Sequence, residues 1–273
     1  MELVRRIQVS SRVLAHSIVI NISMNILEDE IIKPVSMEDF EKVFTDDIKS
    51  VIKAVRKYGF DIRVVGGAVR DFILGKAPRD VDFATNADPA ELILIFDLEG
   101  INYDAGGIVH GTVKAVFGEE KIDVTSITYK LDVTDDKMRV VHSDGWEADA
   151  ASRDLTINSM SLDLEGNIHD YLNGIEDLKA SIIRLNPSQR EKMKKDPNII
   201  MRWFKAFGYF DKPKWPSKDY ELIKSSLPLL KNAKHDSKTA KTLGSIISYP
   251  KGREIIDFMC KMGVGKYIDI DCI

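Results

Sequence analysis

The segment from Val64 to Thr85 constrains this 273-residue chain more than any other part of its sequence. Apolar residues lead into Gly66-Gly67, the start of a helix follows, and Arg79-Asp80-Val81-Asp82 precedes a second apolar run. Glycine lets the backbone approach a phosphate closely, and the free amides of a helix N-terminus attract anions. The segment therefore predicts a strand, a phosphate-binding turn, a helix and a second strand.

Two carboxylates in this segment form a candidate metal site. Asp80 and Asp82 are two residues apart, so on a strand their side chains point to the same face. Asp123, on a strand predicted later in the chain, is a third candidate ligand. Clustered carboxylates suit Mg²⁺, a hard cation that prefers oxygen ligands. The three residues beside a phosphate-binding turn predict metal-assisted nucleotidyl transfer, and a solvated strand edge is the alternative interpretation.

The bulk composition is typical of a soluble globular protein, with 44% hydrophobic and 30% charged residues. The apolar run from Val13 to Leu27 is too short and too often interrupted by polar residues to span a bilayer. We also recognise no signal peptide and expect no membrane partner. Cys260 and Cys272 show no metal-binding spacing and no disulfide framework, which predicts a cytoplasmic protein.

The charge is distributed unevenly along the chain. Residues 190–241 contain fourteen Lys or Arg and six Asp or Glu, a surplus of +8. The net charge is −4, so the remaining residues carry −12. An acidic part joined to a basic part fits a metal site coupled to a surface that binds nucleic acid. A solvated helical surface is an equally good interpretation of the basic stretch.

Hydrophobic periodicity and turn residues predict the order of the elements. Strands are predicted at 62–65, 81–85, 112–117 and 121–127, the last two as a hairpin around Gly118-Glu119-Glu120. Helices are predicted at 36–57, 68–74, 89–98 and 152–160, a loop at 129–149, a short hairpin at 161–168, and mainly helix from Asp177 onward. Asp88 is the predicted N-cap of the third helix and Pro89 its first residue.

These elements predict an α+β fold. Residues 36–180 are expected to form a head with a small mixed or antiparallel β-sheet and helices on one face. Residues 181–273 are expected to form an all-helical C-terminal region, and residues 1–35 an N-terminal extension.

Several sequence blocks occur in the order typical of one enzyme family. The blocks are Gly66–Asp71 with Asp80–Asp82, His110–Val113, Ile122–Thr125, Asp149 with Arg153–Met160, and Asp170–Leu178. As a set they resemble the class II tRNA nucleotidyltransferases (CCA-adding enzymes) and bacterial poly(A) polymerases, a branch of the polymerase-β-like nucleotidyltransferases. The resemblance extends over roughly residues 60–210.

The resemblance implies a role for each matching residue. It implies that Asp80 and Asp82 bind two Mg²⁺ ions with the help of Asp123, and that Gly66, Gly67, Arg70 and Arg79 hold the triphosphate. It also implies that Arg153 and Asp154 contact the phosphates and ribose of the nucleotide, and that Asn158 braces the site.

The chain departs from the family pattern in the block that reads the nucleobase. The family usually has Glu-Asp-x-x-Arg, and this chain has Lys195-Asp196-Pro197-Asn198-Ile199. Asp196 is retained, whereas an isoleucine side chain has no donor or acceptor for a base edge. Arg202 and Lys205 follow at helical spacing and are candidates for the missing donor. Ser152 likewise replaces the first arginine of the family's Arg-Arg-Asp block.

The resemblance implies a transferase that adds CMP or AMP, from CTP or ATP, to the 3′ end of tRNA and releases pyrophosphate. The expected partners are the 3′ end of tRNA or of another RNA, and nucleoside triphosphates. Two alternatives keep the chemistry: a poly(A)-adding or A-only enzyme, and an enzyme with a different RNA acceptor. A third alternative is a non-catalytic RNA-binding relative.

Overall fold

The computed structural model describes residues 43–134, 137–142, 145–270 and 272. Their contacts divide into two compact units. The head unit comprises the described residues up to Ala150 together with Met160–Tyr171, and the helical unit comprises Ala151–Ser159 and the residues from Leu172 onward. The predicted extension at residues 1–35 lies outside the described residues, and the predicted domain boundaries stay a prediction.

The head unit is built on a seven-stranded mixed sheet in the order β3-β4-β5-β2-β1-β8-β9. Only the pairing of β2 with β5 is parallel among the described strands of this sheet. This arrangement confirms the predicted mixed sheet of an α+β fold. The strands are β1 (Ile62–Val65), β2 (Asp82–Thr85), β3 (Asn102–Asp104), β4 (Thr112–Phe117), β5 (Glu120–Ser126), β8 (Ser161–Leu162) and β9 (Ile168–His169).

Helix α1 (Asp46–Lys57) confirms the helix predicted over 36–57 only from Asp46 onward, because Thr45 is its N-cap. Helices α2 (Gly67–Ile73) and α3 (Pro89–Glu99) agree with the sequence predictions. A capping box between Asp88 and Glu91 opens α3, with Pro89 at its first position, as predicted. Helix α1 contacts β1 and α3 contacts β4. Phe83 and Val124 are fully buried in the core of this unit.

Two sequence predictions were wrong in the following part of the chain. Residues 129–134 and 137–142, predicted as part of a loop, form the antiparallel pair β6 (Tyr129–Thr134) and β7 (Lys137–His142), separate from the seven-stranded sheet. The predicted helix at 152–160 is replaced by α4 (Trp146–Ser152) and a 3₁₀ turn at Thr156–Asn158. The many polar residues between 129 and 149 obscured the alternating pattern of the strands. Strand β3 was not predicted either, because it is too short for a periodic pattern to be detected.

The described part of the helical unit confirms the predicted helical C-terminal region. Trp203 and Phe204 are fully buried in the core of this unit, and the side chain of the buried Asp219 accepts a hydrogen bond from the amide of Leu185 at 3.0 Å. The helices are α5 (Gly174–Lys179), α6 (Gln189–Lys195), α7 (Asn198–Ala206), α8 (Ser217–Ser226), α9 (Ser237–Ile247) and α10 (Gly252–Met262).

The two cysteines are joined in a disulfide between Cys260 and Cys272. The prediction from their spacing that they form no disulfide was therefore wrong. The cytoplasmic location was inferred from that prediction, and it stays a prediction without this support. Among the described residues, no helix combines the length and the apolar composition that crossing a bilayer requires.

Replacement of Gly66 by alanine tests the backbone of the predicted turn. Gly66 has φ 74° and ψ −133°, a conformation that an L-residue adopts only with strain. We expect Gly66→Ala to destabilise the protein by about 1–3 kcal/mol. Urea unfolding followed by circular dichroism measures the change.

Gly244→Ala is the matched control. Gly244 lies within α9, and an added Cβ there meets no atom within 4 Å. Because alanine favours the helix, we expect this variant to be about 0.5–1 kcal/mol more stable than the parent. Equal destabilisation in the two variants would contradict a conformational requirement at Gly66.

Candidate active site

The parallel pairing of β2 with β5 brings two of the predicted ligands together in the head unit. Phe83 pairs with Val124, so Asp82 and Asp123 precede them at the same level of adjacent strands. Side chains alternate along a strand, so both aspartates point away from the buried Phe83 and Val124. We call the sheet side with Asp82 and Asp123 the carboxylate face. Asp82 is exposed and Asp123 is half-buried, so both can reach a solvated ligand.

Asp80 lies just ahead of this pair. Strand β2 begins at Asp82, so Asp80 and Arg79 occupy the irregular segment before it, and both are exposed. The expectation that both aspartates lie on one strand was therefore wrong, and a shared face for their side chains stays a prediction. The structure brings Asp82 and Asp123 together through strand pairing, and Asp80 only through its closeness in sequence.

A lysine that the sequence analysis missed already pairs with Asp123. Lys114 lies opposite Asp123 across β4 and β5, and its Nζ is 2.6 Å from each carboxylate oxygen. Within the part of the chain that the structure describes, no three or more acidic, histidine or cysteine side chains cluster closely enough to hold a metal. The oxygen donors of Asp82 and Asp123 nevertheless fit a divalent cation such as Mg²⁺ in their chemistry.

The glycine turn adjoins this pair of carboxylates. Val65 pairs with Asp82, and Gly66 follows at the end of β1. The Gly66 amide donates to the carbonyl oxygen of Met160 at 3.3 Å, so it serves the sheet and not a phosphate. Gly67 begins α2 directly after this turn.

The Arg70 guanidinium lies against this turn and is 7% exposed. A Cβ on Gly67 would lie 3.4 Å from Arg70 Nη2. Arg70 donates through Nε and Nη2 to Asp71 Oδ1, at 2.9 and 2.8 Å. The arginine predicted to hold a triphosphate therefore braces the turn in this structure, and Gly67 is the residue that leaves room for it.

A second missed pair lies on the carboxylate face. The Arg63 guanidinium carbon lies 4.0 Å from the ring centroid of Trp146, a cation–π contact. Trp146 also packs on Val65 and Ala84. Arg63 alternates with the buried Val64 along β1. A charged residue within an apolar strand was the one signal in the sequence that could have indicated this pair.

The helical unit brings three other predicted residues together. Arg202 donates through Nε to Asp154 Oδ2 at 2.7 Å and through Nη2 to Asp196 Oδ2 at 3.0 Å. Burial lowers the pKa of the Arg202 guanidinium, but the two carboxylates outweigh it and hold this pKa above its usual value. Arg202 is therefore a permanent cation that fixes two acceptors contributed by distant parts of the sequence.

The other predicted residues of this unit surround the same cluster. The Arg153 carbonyl oxygen accepts hydrogen bonds from Asn186 Nδ2 and Gln189 Nε2, both at 2.7 Å. The backbone N–H of Asn186 donates to the carbonyl oxygen of Asp154 at 3.0 Å. These bonds fix the backbone on which the Asp154 side chain stands. Asn158 is half-buried in the following 3₁₀ turn.

Ile199 occupies the place where the sequence comparison expects an arginine. It is 2% exposed and lies in the core of the helical unit. Arg202, one turn later on α7, is half-buried and lies beside Asp196, and Lys205 is also half-buried. Arg202, one of the two candidates for the missing donor, contacts Asp196 directly.

Comparisons with known proteins show which family this chain resembles. Residues 62–184 match the family model of the poly A polymerase head domain. The mitochondrial CCA tRNA nucleotidyltransferase 1 of Danio rerio is 38% identical over 172 residues, which is 63% of this chain and 40% of that protein. The chain thus spans about two fifths of the length of this curated relative.

Two solved structures resemble this fold. A crystal structure of the Bacillus stearothermophilus CCA-adding enzyme with CTP has a TM-score of 0.67 at 27% identity, covering 82% of this chain and 54% of that one. A tRNA nucleotidyltransferase complexed with a primer tRNA and an incoming ATP analog has a TM-score of 0.64 at 25% identity, covering 80% and 62%. The similarity includes both the head and part of the helical region, since each alignment covers at least 80% of this chain.

Removal of the Arg202 guanidinium tests the cluster. Arg202→Met keeps the length of the side chain but leaves Asp154 and Asp196 without this partner. We expect a loss of about 1–2 kcal/mol in the free energy of unfolding, because a partly buried carboxylate then lacks its charged donor. Urea unfolding measures the loss.

Lys194→Met on α6 is the control for this change. Lys194 pairs with Glu191 at the surface at 3.0 Å, with both side chains exposed. Such pairs contribute little, so we expect a change within about 0.5 kcal/mol. If Arg202→Met changed the free energy of unfolding as little as Lys194→Met does, the cluster would not stabilise the helical unit.

Proposed function

We propose that the chain is an RNA 3′-end nucleotidyltransferase. The reason is that, through residues 62–184, it belongs to the class II family of CCA-adding enzymes and poly A polymerases. It adds CMP and AMP, from CTP and ATP, to the 3′ end of tRNA and releases pyrophosphate. The bound CTP, ATP analog and primer tRNA of the similar structures support these substrates.

The observation that carries the proposal is the placement of Asp82 and Asp123 beside the glycine turn within one unit. Their strands are adjacent, and Val65, which pairs with Asp82, leads directly into Gly66. Asp80, Asp82 and Asp123 would hold Mg²⁺, which when bound activates the attacking 3′-hydroxyl and neutralises charge on the triphosphate. Gly66, Gly67, Arg70 and Arg79 would accommodate that triphosphate.

The cluster in the helical unit serves nucleotide recognition in this proposal. Asp154, with its carboxylate held by Arg202, offers an acceptor for a ribose hydroxyl, and Arg153 and Asn158 support it. Asp196 and Arg202 offer an acceptor and a donor to a base edge, which replaces the donor lost at Ile199.

The basic stretch supplies the contacts to RNA. Residues 190–241 carry a surplus of +8, and lysine and arginine side chains bind phosphates without reading sequence. The acidic head then performs the transfer and the basic stretch retains the acceptor.

An end-addition assay tests the activity. The full chain is incubated with Mg²⁺ and tRNA transcripts that end before, within and after CCA, with CTP or ATP alone or together, and the products are sequenced. We expect addition of two C residues and one A residue, followed by a stop. Long A tails would indicate a poly(A) polymerase, one A on a CC end without C addition an A-only enzyme, and no addition a non-catalytic relative.

Asp82→Asn separates the metal site from the RNA surface. We expect nucleotide incorporation to fall by about 10³-fold or more, since the cation loses a charged ligand, while the Kd for tRNA changes by less than about twofold. Asp97→Asn, an exposed position on α3, is the control and should keep both properties. Equal loss of activity and RNA affinity in Asp82→Asn would contradict separate regions.

The salt dependence of RNA binding tests the basic stretch. We expect the affinity for tRNA to fall steeply as salt rises, by about tenfold or more between roughly 50 and 200 mM, because bound lysines release counterions. Filter binding at several salt concentrations measures the slope. A variant with Lys218 and Lys224 changed to Gln should show a shallower slope, and an unchanged slope would exclude that part of the stretch.

A further inference from the structure

Lys114 lies in a row of charged residues that crosses the carboxylate face. Strand pairing places Asp104 opposite Lys114 and Lys114 opposite Asp123, and Asp82 follows Asp123 on the next strand. Paired residues of neighbouring strands lie about 5 Å apart and point to one face. In this row Lys114 thus lies between Asp104 on one side and Asp123 and Asp82 on the other.

The lysine is directed to one of its two neighbours. Its Nζ lies 2.6 Å from both oxygens of Asp123. Asp104 instead accepts the Gly106 amide at 2.9 Å and Lys121 Nζ at 3.3 Å. The ammonium of Lys114 therefore contacts both oxygens of the Asp123 carboxylate, which are the donor atoms that a divalent cation would need.

We propose that Lys114 is a positioning residue that holds Asp123 in the absence of a divalent cation and competes with that cation for the carboxylate. Lys114 thereby sets the metal affinity of the head, and Asp104 is the carboxylate to which its ammonium moves when Asp123 is taken by the cation. The inference rests on the proposed function for the identity of the site, and concerns a residue to which that function assigns no role.

The energetics favour exchange between the two cations. The side chains of Lys114 and Asp123 are 32% and 34% exposed, so their pair is partly screened by solvent and is modest in strength. A divalent cation carries twice the charge and is attracted by Asp82 at the same time. A lysine that stays near the bound cation also repels it, so its removal strengthens binding on both counts.

Mn²⁺ binding to the full chain, followed by electron paramagnetic resonance without nucleotide or RNA, tests the inference. We expect Lys114→Met and Lys114→Gln to lower the Kd for Mn²⁺ by about three- to tenfold at constant ionic strength. Lys114→Arg, which keeps the charge, should bind as the parent does. Thermal melts establish that each variant is folded before its titration is interpreted.

Two matched variants separate this effect from a general change of charge. Lys121→Met removes a lysine of the same hairpin that pairs with Asp104 at 3.3 Å, and we expect less than about a twofold change in Kd. In an Asp123→Asn background, Lys114→Met should give a clearly smaller gain, because only the repulsion and not the competition is then removed. An unchanged or raised Kd in Lys114→Met, or an equal gain in the Asp123→Asn background, would overturn the inference.

The outcome is independent of the end-addition assay. A protein that adds no nucleotide but binds Mn²⁺ more tightly without Lys114 would refute the proposed function and retain this inference. A protein that adds nucleotides but binds Mn²⁺ equally well with and without Lys114 would support the proposed function and refute this inference. If neither parent nor variant bound Mn²⁺, the competition would be refuted, because removal of the lysine should expose the site.

Discussion

The parallel pairing of β2 with β5 is the constraint on which the rest of the head depends. Phe83 and Val124 pair across it, and both are fully buried. Their burial fixes the register, because a slip of one residue would turn the whole side-chain pattern over and drive Asp82 toward the core. Hydrophobic burial on one side of the sheet therefore determines which carboxylates meet on the other side.

The sequence contained enough information for the elements around this pairing. The N-cap Asp88 followed by Pro89 and the apolar spacing of α1 predicted helices that the structure shows. The exact length of the turn between β4 and β5 was not predictable from the sequence. The prediction assigned three residues to the turn, whereas Phe117 pairs with Glu120 and only Gly118 and Glu119 turn. That one-residue difference decides whether Lys114 faces Asp123, so the pair was invisible before the register was known.

The candidate site shows the same limit at longer range. Asp154 and Arg202 are 48 residues apart in sequence and 2.7 Å apart in space. Periodicity along α7 identified Arg202 as a candidate, yet periodicity within a helix says nothing about which distant carboxylate it meets. Arg70 shows a local contact: its position matched a phosphate-binding pattern, and its guanidinium is hydrogen-bonded to Asp71, the next residue in the chain. Residue type predicted the chemistry available, and tertiary packing decided its use.

The disulfide between Cys260 and Cys272 has a further consequence for how this chain responds to proteolysis. It closes a loop over a sequence separation of 12 residues, including the end of α10 and the 3₁₀ turn at Val264–Lys266. A protease that cleaves the peptide backbone inside this loop leaves both pieces joined through sulfur. On a denaturing gel the nicked and intact chains would then migrate together until a thiol reductant separates the short C-terminal peptide.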